Sequence, residues 1–123
     1  MGGGLSGLLA CEEPDLSAAV IVYGPSPSEQ QADRIRCPVR GFCGGDDLRV
    51  IAGLPAFAAT LQSGGVDHAE RIYPGAPHAF FNDIHPSYRP EAARDAWAGV
   101  LAFFAEVLGP VATVPIDDAV KTV

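Results

Sequence analysis

The sequence has few basic residues and no long apolar run. Lys and Arg together number 8 against 15 Asp and Glu, which gives a formal net charge of −7. Because the phosphates of nucleic acids and anionic membranes repel an acidic protein, we expect neither of them as a partner. No apolar run approaches the roughly 20 residues that a membrane-spanning helix needs. These features exclude nucleic-acid-binding and integral membrane proteins.

Cysteine is also scarce, with Cys11, Cys37 and Cys43 as the only three. An odd, sparse set without metal-ligand spacing predicts free thiols in a reducing compartment and no metal site. Met1 is followed by three glycines rather than by a basic region and an apolar segment, so we expect no secretory signal there. The sequence therefore predicts a cytoplasmic protein without a metal or another cofactor.

Apolar residues, glycine and proline are plentiful. Hydrophobic residues make up 48% of the 123 residues, and there are 14 Gly and 11 Pro. This length suits a single domain with its own core, and the many Gly and Pro indicate short elements joined by turns. We therefore expect one domain over 1–110, and a tail over 111–123 that is either mobile or an added strand.

Helical and strand-like segments alternate along the chain. Residues 18–23 form an apolar run closed by Gly24 and Pro25, which is typical of a strand buried on both faces, and 38–43 and 68–73 are the next two predicted strands. Helices are predicted over 5–11, 52–62 and 90–108, with at most one helical turn within 26–35. This order predicts an α/β fold with a parallel sheet of about three strands flanked by helices. The apolar positions of the last helix are Ala93, Trp97, Val100, Leu101, Phe104 and Leu108.

Ionisable residues follow two of the predicted strands. Asp46 and Asp47 come directly after the second strand, and His78 comes shortly after the third. Function in a parallel sheet gathers at the carboxyl ends of the strands, where an acid and a histidine can form the orienting hydrogen bond of a catalytic triad. An aspartate after two glycines is often only a turn residue, and a histidine beside aromatic residues often only packs. The pattern by itself leaves both interpretations open.

Several short motifs occur in order over residues 1–108. They are Gly44-Gly45-Asp46-Asp47, residues 73–83 (YPGAPHAFFND), residues 88–93 (YRPEAA) and Ala96-Trp97, together with residues 1–4 and 18–24. These motifs resemble the C-terminal half of the dienelactone hydrolase (carboxymethylenebutenolidase) family. The resemblance implies an α/β-hydrolase fold. It also implies hydrolysis of an ester or lactone by a Cys/Ser-His-Asp triad through an acyl-enzyme.

The same resemblance assigns roles to residues by position. It implies that Asp47 is the triad acid and His78 the triad base, and that Phe80 and Asn82 line the substrate site. Asn82 stands where some members have an arginine that holds a substrate carboxylate, so we do not expect narrow dienelactone specificity. Met1 would follow the nucleophile directly and contribute its backbone N–H to the oxyanion hole. The nucleophile would then precede Met1, and we expect this truncated hydrolase to be inactive alone.

The segment around Cys43 resembles a nucleophile elbow, the sharp strand-to-helix turn Gly-x-[Cys/Ser]-x-Gly that carries the nucleophile in α/β-hydrolases. The segment 41–45 (GFCGG) fits Gly-x-Cys-x-Gly, but Asp46 and Asp47 follow in the same turn and Pro55 interrupts the helix that an elbow would require. We therefore interpret Cys43 as a small buried residue at a strand end. Ser6, inside the first helix, is predicted to donate its hydroxyl to a backbone carbonyl.

The predicted sheet leaves its first strand without a neighbour on one side. Such an apolar edge favours association, so we expect a homo-oligomer or a complex with a partner chain. If an upstream half completes the site, the substrate is a small ester or lactone. The alternative is a non-catalytic remnant that acts as an interaction or oligomerisation module.

Overall fold

The computed structural model of the chain describes residues 1–109, in which helices and strands alternate. None of the helices in this part is long and apolar enough to cross a membrane. The tail predicted over 111–123 lies outside the described residues. In chain order the elements are α1 (Gly2–Glu12), β1 (Ala19–Val22), α2 (Glu29–Ala32), β2 (Val39–Gly44), α3 (Leu48–Ser63), β3 (His68–Tyr73) and α4 (Pro90–Leu108).

The three strands form a parallel sheet in the order β1-β2-β3, which confirms the predicted architecture. Val39 at the start of β2 pairs with Ala19 on one side and with His68 on the other. This register aligns the carboxyl ends of the strands. Phe42 pairs with Val22, the last residue of β1, and Gly44, the last residue of β2, pairs with Tyr73, the last residue of β3. The loops after β2 and β3 therefore leave the sheet at the same edge.

Helices cover both faces of the sheet and create a three-layer structure. Helices α1, α2 and α3 enclose one core with the inward residues of β1 and β2, whereas α4 packs on the opposite face over Phe42. The alternation of side chains along each strand explains this division, since neighbouring residues point to opposite faces. The first core contains Ala10, Cys11, Ala19, Ile21, Ala32, Ile35, Cys37, Val39, Phe57 and Leu61.

Helix α1 begins at Gly2, three residues before its predicted start. A Cβ atom on Gly3 would lie 2.3 Å from the carbonyl oxygen of Val22, so only glycine lets this turn approach the end of β1. The Ser6 hydroxyl donates to the carbonyl oxygen of Val20 at 2.6 Å. The predicted hydroxyl-to-backbone bond is thus confirmed, but it joins the helix to β1 rather than closing within the helix.

Helix α3 begins at Leu48, four residues before its predicted start, and includes Pro55. The prediction that Pro55 interrupts this helix is therefore wrong. A proline inside a helix removes one backbone hydrogen bond. The packing of an apolar face outweighs this loss, and the buried residues on that face are Val50, Leu54, Phe57 and Leu61.

Helix α4 packs on the sheet through its buried residues, which are Ala93, Ala96, Val100 and Phe103. A Cβ atom on Gly99 would lie 2.8 Å from the ring of Phe42, which shows how closely this helix approaches β2. Of the predicted apolar positions, Ala93 and Val100 are buried, whereas Trp97 is 56% exposed. Leu101 and Leu108 are likewise more than half exposed. Helical spacing alone therefore did not distinguish the apolar residues that face the sheet from the apolar residues that face solvent.

Candidate active site

Asp47 and His78 meet above the carboxyl edge of the sheet. Their Oδ2 and Nδ1 atoms are 2.5 Å apart, although 31 positions separate them in the sequence. With the carboxylate ionised, Nδ1–H of His78 donates and Nε2 stays available for proton transfer. The Asp47 side chain is 9% exposed and the His78 side chain 52% exposed. A shielded acid thus orients an imidazole that solvent can reach.

Asp47 occupies the residue before α3, where an aspartate commonly caps the free N–H groups of the helix. Its side chain makes no capping hydrogen bond and accepts from His78 instead. The neighbouring Asp46 is exposed, and its backbone N–H donates to the Ala76 carbonyl at 3.1 Å. The structure therefore separates the two aspartates: Asp47 holds the imidazole, and the backbone of Asp46 joins the two loops.

The loops that carry Asp47 and His78 are in direct backbone contact. A Cβ atom on Gly44 would lie 2.0 Å from the carbonyl oxygen of Ala76, and the N–H of Gly45 donates to the carbonyl of Tyr73 at 2.7 Å. Glycine is required at Gly44 because any larger residue would push the loops apart. This contact sets the separation between the acid and the histidine.

An aromatic cluster supports the histidine loop from below. Phe80 is fully buried, with its ring centroid 5.6 Å from Tyr23, 5.3 Å from Tyr73 and 5.4 Å from Phe81. Its placement therefore differs from the expected substrate-lining position, because the ring faces the core. Asn82 is exposed, and its Oδ1 accepts the N–H of Ile84 at 3.3 Å within its own turn.

Met1 lies at the amino end of α1 and is 98% exposed. Its carbonyl accepts the N–H of Leu5 at 3.1 Å, which closes the first helical turn. The same turn packs on the segment after β1, since a Cβ atom on Gly24 would lie 2.3 Å from the carbonyl carbon of Gly3. The amino end of α1 thus lies against the carboxyl end of β1.

Cys43 is buried near the end of β2, with 1% of its surface exposed, as predicted. Burial raises the pKa of its thiol to about 11, and the nearby carboxylates of Glu70 and Asp47 add to the shift. A protonated thiol is a poor nucleophile. Cys11 and Cys37 are also buried and, like Cys43, free of disulfide bonds. None of the three is suited to attack a carbonyl.

Tyr23 belongs to the same site but was not singled out in the sequence. It follows β1, and its ring centroid is 4.9 Å from that of His78, with the planes inclined by 58°. Its φ of 36° is unusual for a residue with a large side chain. The available signal was its position, because it ends an apolar run directly before Gly24, at the edge where Asp47 and His78 also lie.

A second histidine–carboxylate pair lies on β3. Nε2 of His68 is 3.0 Å from Oε1 of Glu70, and the ring of His68 stacks edge-on against Phe57 at 5.3 Å. The two residues are two apart in a strand and so share a face, which the sequence does indicate. Over residues 1–109, no group of three or more His, Cys, Asp or Glu side chains is arranged to hold a metal ion.

The model of the dienelactone hydrolase family matches residues 1–108 of the chain. The chain belongs to the dienelactone hydrolase family. A relative from Saccharolobus solfataricus, described as a "Putative carboxymethylenebutenolidase", is 43% identical over 108 residues. That match covers 87% of this chain and 42% of the relative. The resemblance drawn from the motifs is thereby confirmed.

Solved structures of this family have the same fold. The crystal structure of a Klebsiella pneumoniae protein described as a "Putative Dienelactone Hydrolase" superposes with a TM-score of 0.76 at 32% identity, over 84% of this chain and 48% of that one. A promiscuous, dienelactone-hydrolase-like phosphotriesterase from metagenomic libraries superposes with a TM-score of 0.71 at 24% identity, over 80% and 46%. The chain thus spans about half the length of the relatives that it matches.

Proposed function

We propose that Asp47 and His78 act as the acid and the general base in the hydrolysis of an ester or lactone. The observation that carries this proposal is the hydrogen bond between a shielded carboxylate and an accessible imidazole. Membership of the dienelactone hydrolase family supports the same chemistry. The buried cysteines of the chain argue against a nucleophile among them. The nucleophile is a Cys or Ser that precedes Met1 in a longer chain or belongs to a partner chain.

Asp47 and His78 have different roles in the proposed reaction. Nε2 of His78 takes the proton of the attacking Cys or Ser, and the Asp47 carboxylate stabilises the resulting imidazolium through Nδ1. The nucleophile bonds to the carbonyl carbon, and the oxyanion binds to backbone N–H groups that include that of Met1. Nε2–H then protonates the departing alkoxide as the carbon–oxygen bond breaks. In the second half-reaction Nε2 deprotonates a water as its oxygen bonds to the acyl carbon, and the imidazolium then returns this proton to the Cys or Ser as the bond to the acyl group breaks.

Asn82 limits the proposed substrate class. An amide holds no positive charge, and this one already accepts a hydrogen bond within its own turn. A substrate carboxylate would therefore find no dedicated cation at this position. We propose that neutral esters and lactones are accepted and that an acidic dienelactone gains no advantage.

The proposal is tested with an activated aryl ester and two proteins. One is the 123-residue chain, and the other is the same chain extended before Met1 by the preceding segment of the Saccharolobus solfataricus relative. We expect the extended protein to hydrolyse the ester and the 123-residue chain not to do so. The His78→Ala variant of the extended protein should lose this activity. Hydrolysis by the shorter chain that depends on His78 would contradict the external nucleophile. Hydrolysis by the extended protein that does not depend on His78 would contradict the triad. If both proteins lack activity, a non-catalytic interaction module becomes the better interpretation.

We also propose that the chain associates through the outer edge of β1. Within residues 1–109 this edge pairs with no strand, and the adjoining α1 exposes Leu5 and Leu9 by more than half. A helix with apolar residues all round is normally covered. The occupant is a second copy or a chain that carries the nucleophile. A monodisperse monomer in light scattering at micromolar concentration would contradict association of copies. Leu9→Glu should weaken association, whereas Leu108→Glu on α4 should not.

A further inference from the structure

We propose that Tyr23 is a positioning residue whose aromatic ring holds the His78 imidazole against Asp47. This inference rests on the proposed role of the Asp47–His78 pair and adds a residue from the end of β1. The two rings are 4.9 Å apart between centroids and inclined by 58°, a common geometry for paired aromatic side chains. His78 is thus held on one side by a carboxylate and on another by a ring.

The order of the strands explains how these groups converge. Asp47 follows β2, His78 lies in the loop after β3, and Tyr23 follows β1. Because β2 lies between β1 and β3, the histidine loop must cross the end of β2 to reach Tyr23. It does so where Gly44 leaves room for the Ala76 carbonyl. Each of the three strand ends therefore contributes one side chain to the arrangement.

The backbone of Tyr23 is held in a conformation that such a residue rarely adopts. Its φ of 36° lies in the left-handed region, which disfavours bulky side chains. Its N–H donates to the Phe42 carbonyl at 2.7 Å, and Gly24 is packed against Gly3. These contacts fix both sides of the residue. Glycine or asparagine would be less strained here, so the large aromatic side chain points to a role for the ring.

The ring of Tyr23 is itself fixed by its neighbours. Its centroid is 5.6 Å from that of Phe80, and the two rings meet edge-on. The ring also packs against two hydrophobic clusters, the one that contains Phe80 and the one that contains Cys43 and Val50. Burial raises the pKa of its hydroxyl. That hydroxyl has no hydrogen-bond partner in the part of the chain that the structure describes. The ring, rather than the hydroxyl, therefore carries the interaction, and phenylalanine should replace tyrosine without loss.

Two variants separate positioning from general stability. Tyr23→Phe keeps the ring, whereas Tyr23→Asn removes it and tolerates the left-handed backbone. The first measurement is nitrogen NMR of His78 at a pH where the imidazole is neutral, which reports whether the proton stays on Nδ1. The second is the rate at which diethyl pyrocarbonate modifies each histidine, resolved by peptide mass spectrometry. The exposed His85 is the internal control.

We expect Tyr23→Phe to keep the Nδ1–H tautomer and the rate of the unsubstituted chain. Tyr23→Asn should mix the tautomers and raise the modification rate of His78 several-fold, while His85 stays unchanged. No response of His78 to Tyr23→Asn would overturn the proposal, and so would an equal response to Tyr23→Phe. If Tyr23→Asn unfolds the chain, seen as faster modification of His68 as well, Tyr23→Gly also removes the ring without backbone strain and should give the selective response of His78; no response of His78 would overturn the proposal.

Neither measurement requires turnover, so the two proposals can fail separately. If the extended protein hydrolyses no ester but His78 responds to Tyr23 as expected, the proposed reaction is wrong and the positioning stands. If hydrolysis depends on His78 but the tautomer of His78 does not change when the Tyr23 ring is removed, the proposed reaction stands and the positioning role of Tyr23 is wrong.

Discussion

The backbones of Gly3 and Gly24 lie in direct contact. A Cβ atom on Gly24 would lie 2.3 Å from the carbonyl carbon of Gly3, and one on Gly3 would lie 2.7 Å from the nitrogen of Gly24. The contact joins the first turn of α1 to the residue after Tyr23. It therefore ties the amino end of the helix, where the proposed oxyanion site lies, to the ring that packs on His78.

The first prediction compares two adjacent glycines of α1. Gly3→Ala places a methyl group against backbone atoms that cannot move independently, so we expect a loss of about 1–3 kcal/mol in the free energy of unfolding. A Cβ atom on Gly2 would meet nothing within 4 Å. Gly2→Ala should therefore be neutral or stabilise the helix by up to about 1 kcal/mol. Urea unfolding measures both, and similar values for the two variants would contradict the close contact.

The second prediction compares two adjacent aspartates in the extended, hydrolytic protein. Asp47→Asn removes the carboxylate that orients His78 and stabilises its cation, so kcat should fall by about 10⁴-fold. Asp46→Asn leaves the backbone hydrogen bond of that residue intact and should change kcat little. The steady-state rates with an aryl ester measure this. If Asp46→Asn is the more damaging substitution, the triad acid has been assigned to the wrong aspartate.

The third prediction concerns the pH dependence of Cys43. Folding raises the pKa of its thiol from the ordinary value of 9.0 to about 11, so the folded chain holds this proton more tightly than the unfolded chain. The stabilisation is fully present below about pH 9 and is lost as the pH rises through about 11. At pH 8, iodoacetamide should therefore label Cys43 in urea but leave it unmodified in the folded chain. Rapid alkylation of folded Cys43 would support it as a nucleophile.

The fourth prediction concerns the hydrogen bond from Ser6 to Val20. Ser6→Ala removes a partly buried donor 2.6 Å from a strand carbonyl and should cost about 0.5–1.5 kcal/mol of stability. Ser63→Ala, at the exposed end of α3, is the matched control and should have a much smaller effect. Thermal unfolding of the two variants gives the comparison. An equal shift in Tm would show that the bond contributes nothing specific.

Local pattern was sufficient for the order of the elements and for the position of the candidate site. The apolar run at 18–23 predicted a strand because residues buried on both faces must be apolar along their whole length, and Gly44-Gly45 marked the end of the second strand at 38–43. The strand order then placed Asp47 and His78 at one edge, since parallel strands end on the same side. The resemblance to the dienelactone hydrolase family selected Asp47 over Asp46, which composition and spacing had left open.

Contacts between distant segments decided the rest. Phe80 is fully buried in the cluster that also contains Phe42 and Ala96, whereas Trp97 is exposed on the outer side of α4. Helical spacing does not indicate which apolar stripe of a helix faces the sheet. Pro55 is tolerated because α3 gains more from its buried face than it loses in one hydrogen bond. Tyr23 meets His78 only when β1, β2 and β3 are assembled side by side. The sequence by itself determined which residues lie at the strand ends, and tertiary packing decided which of them touch.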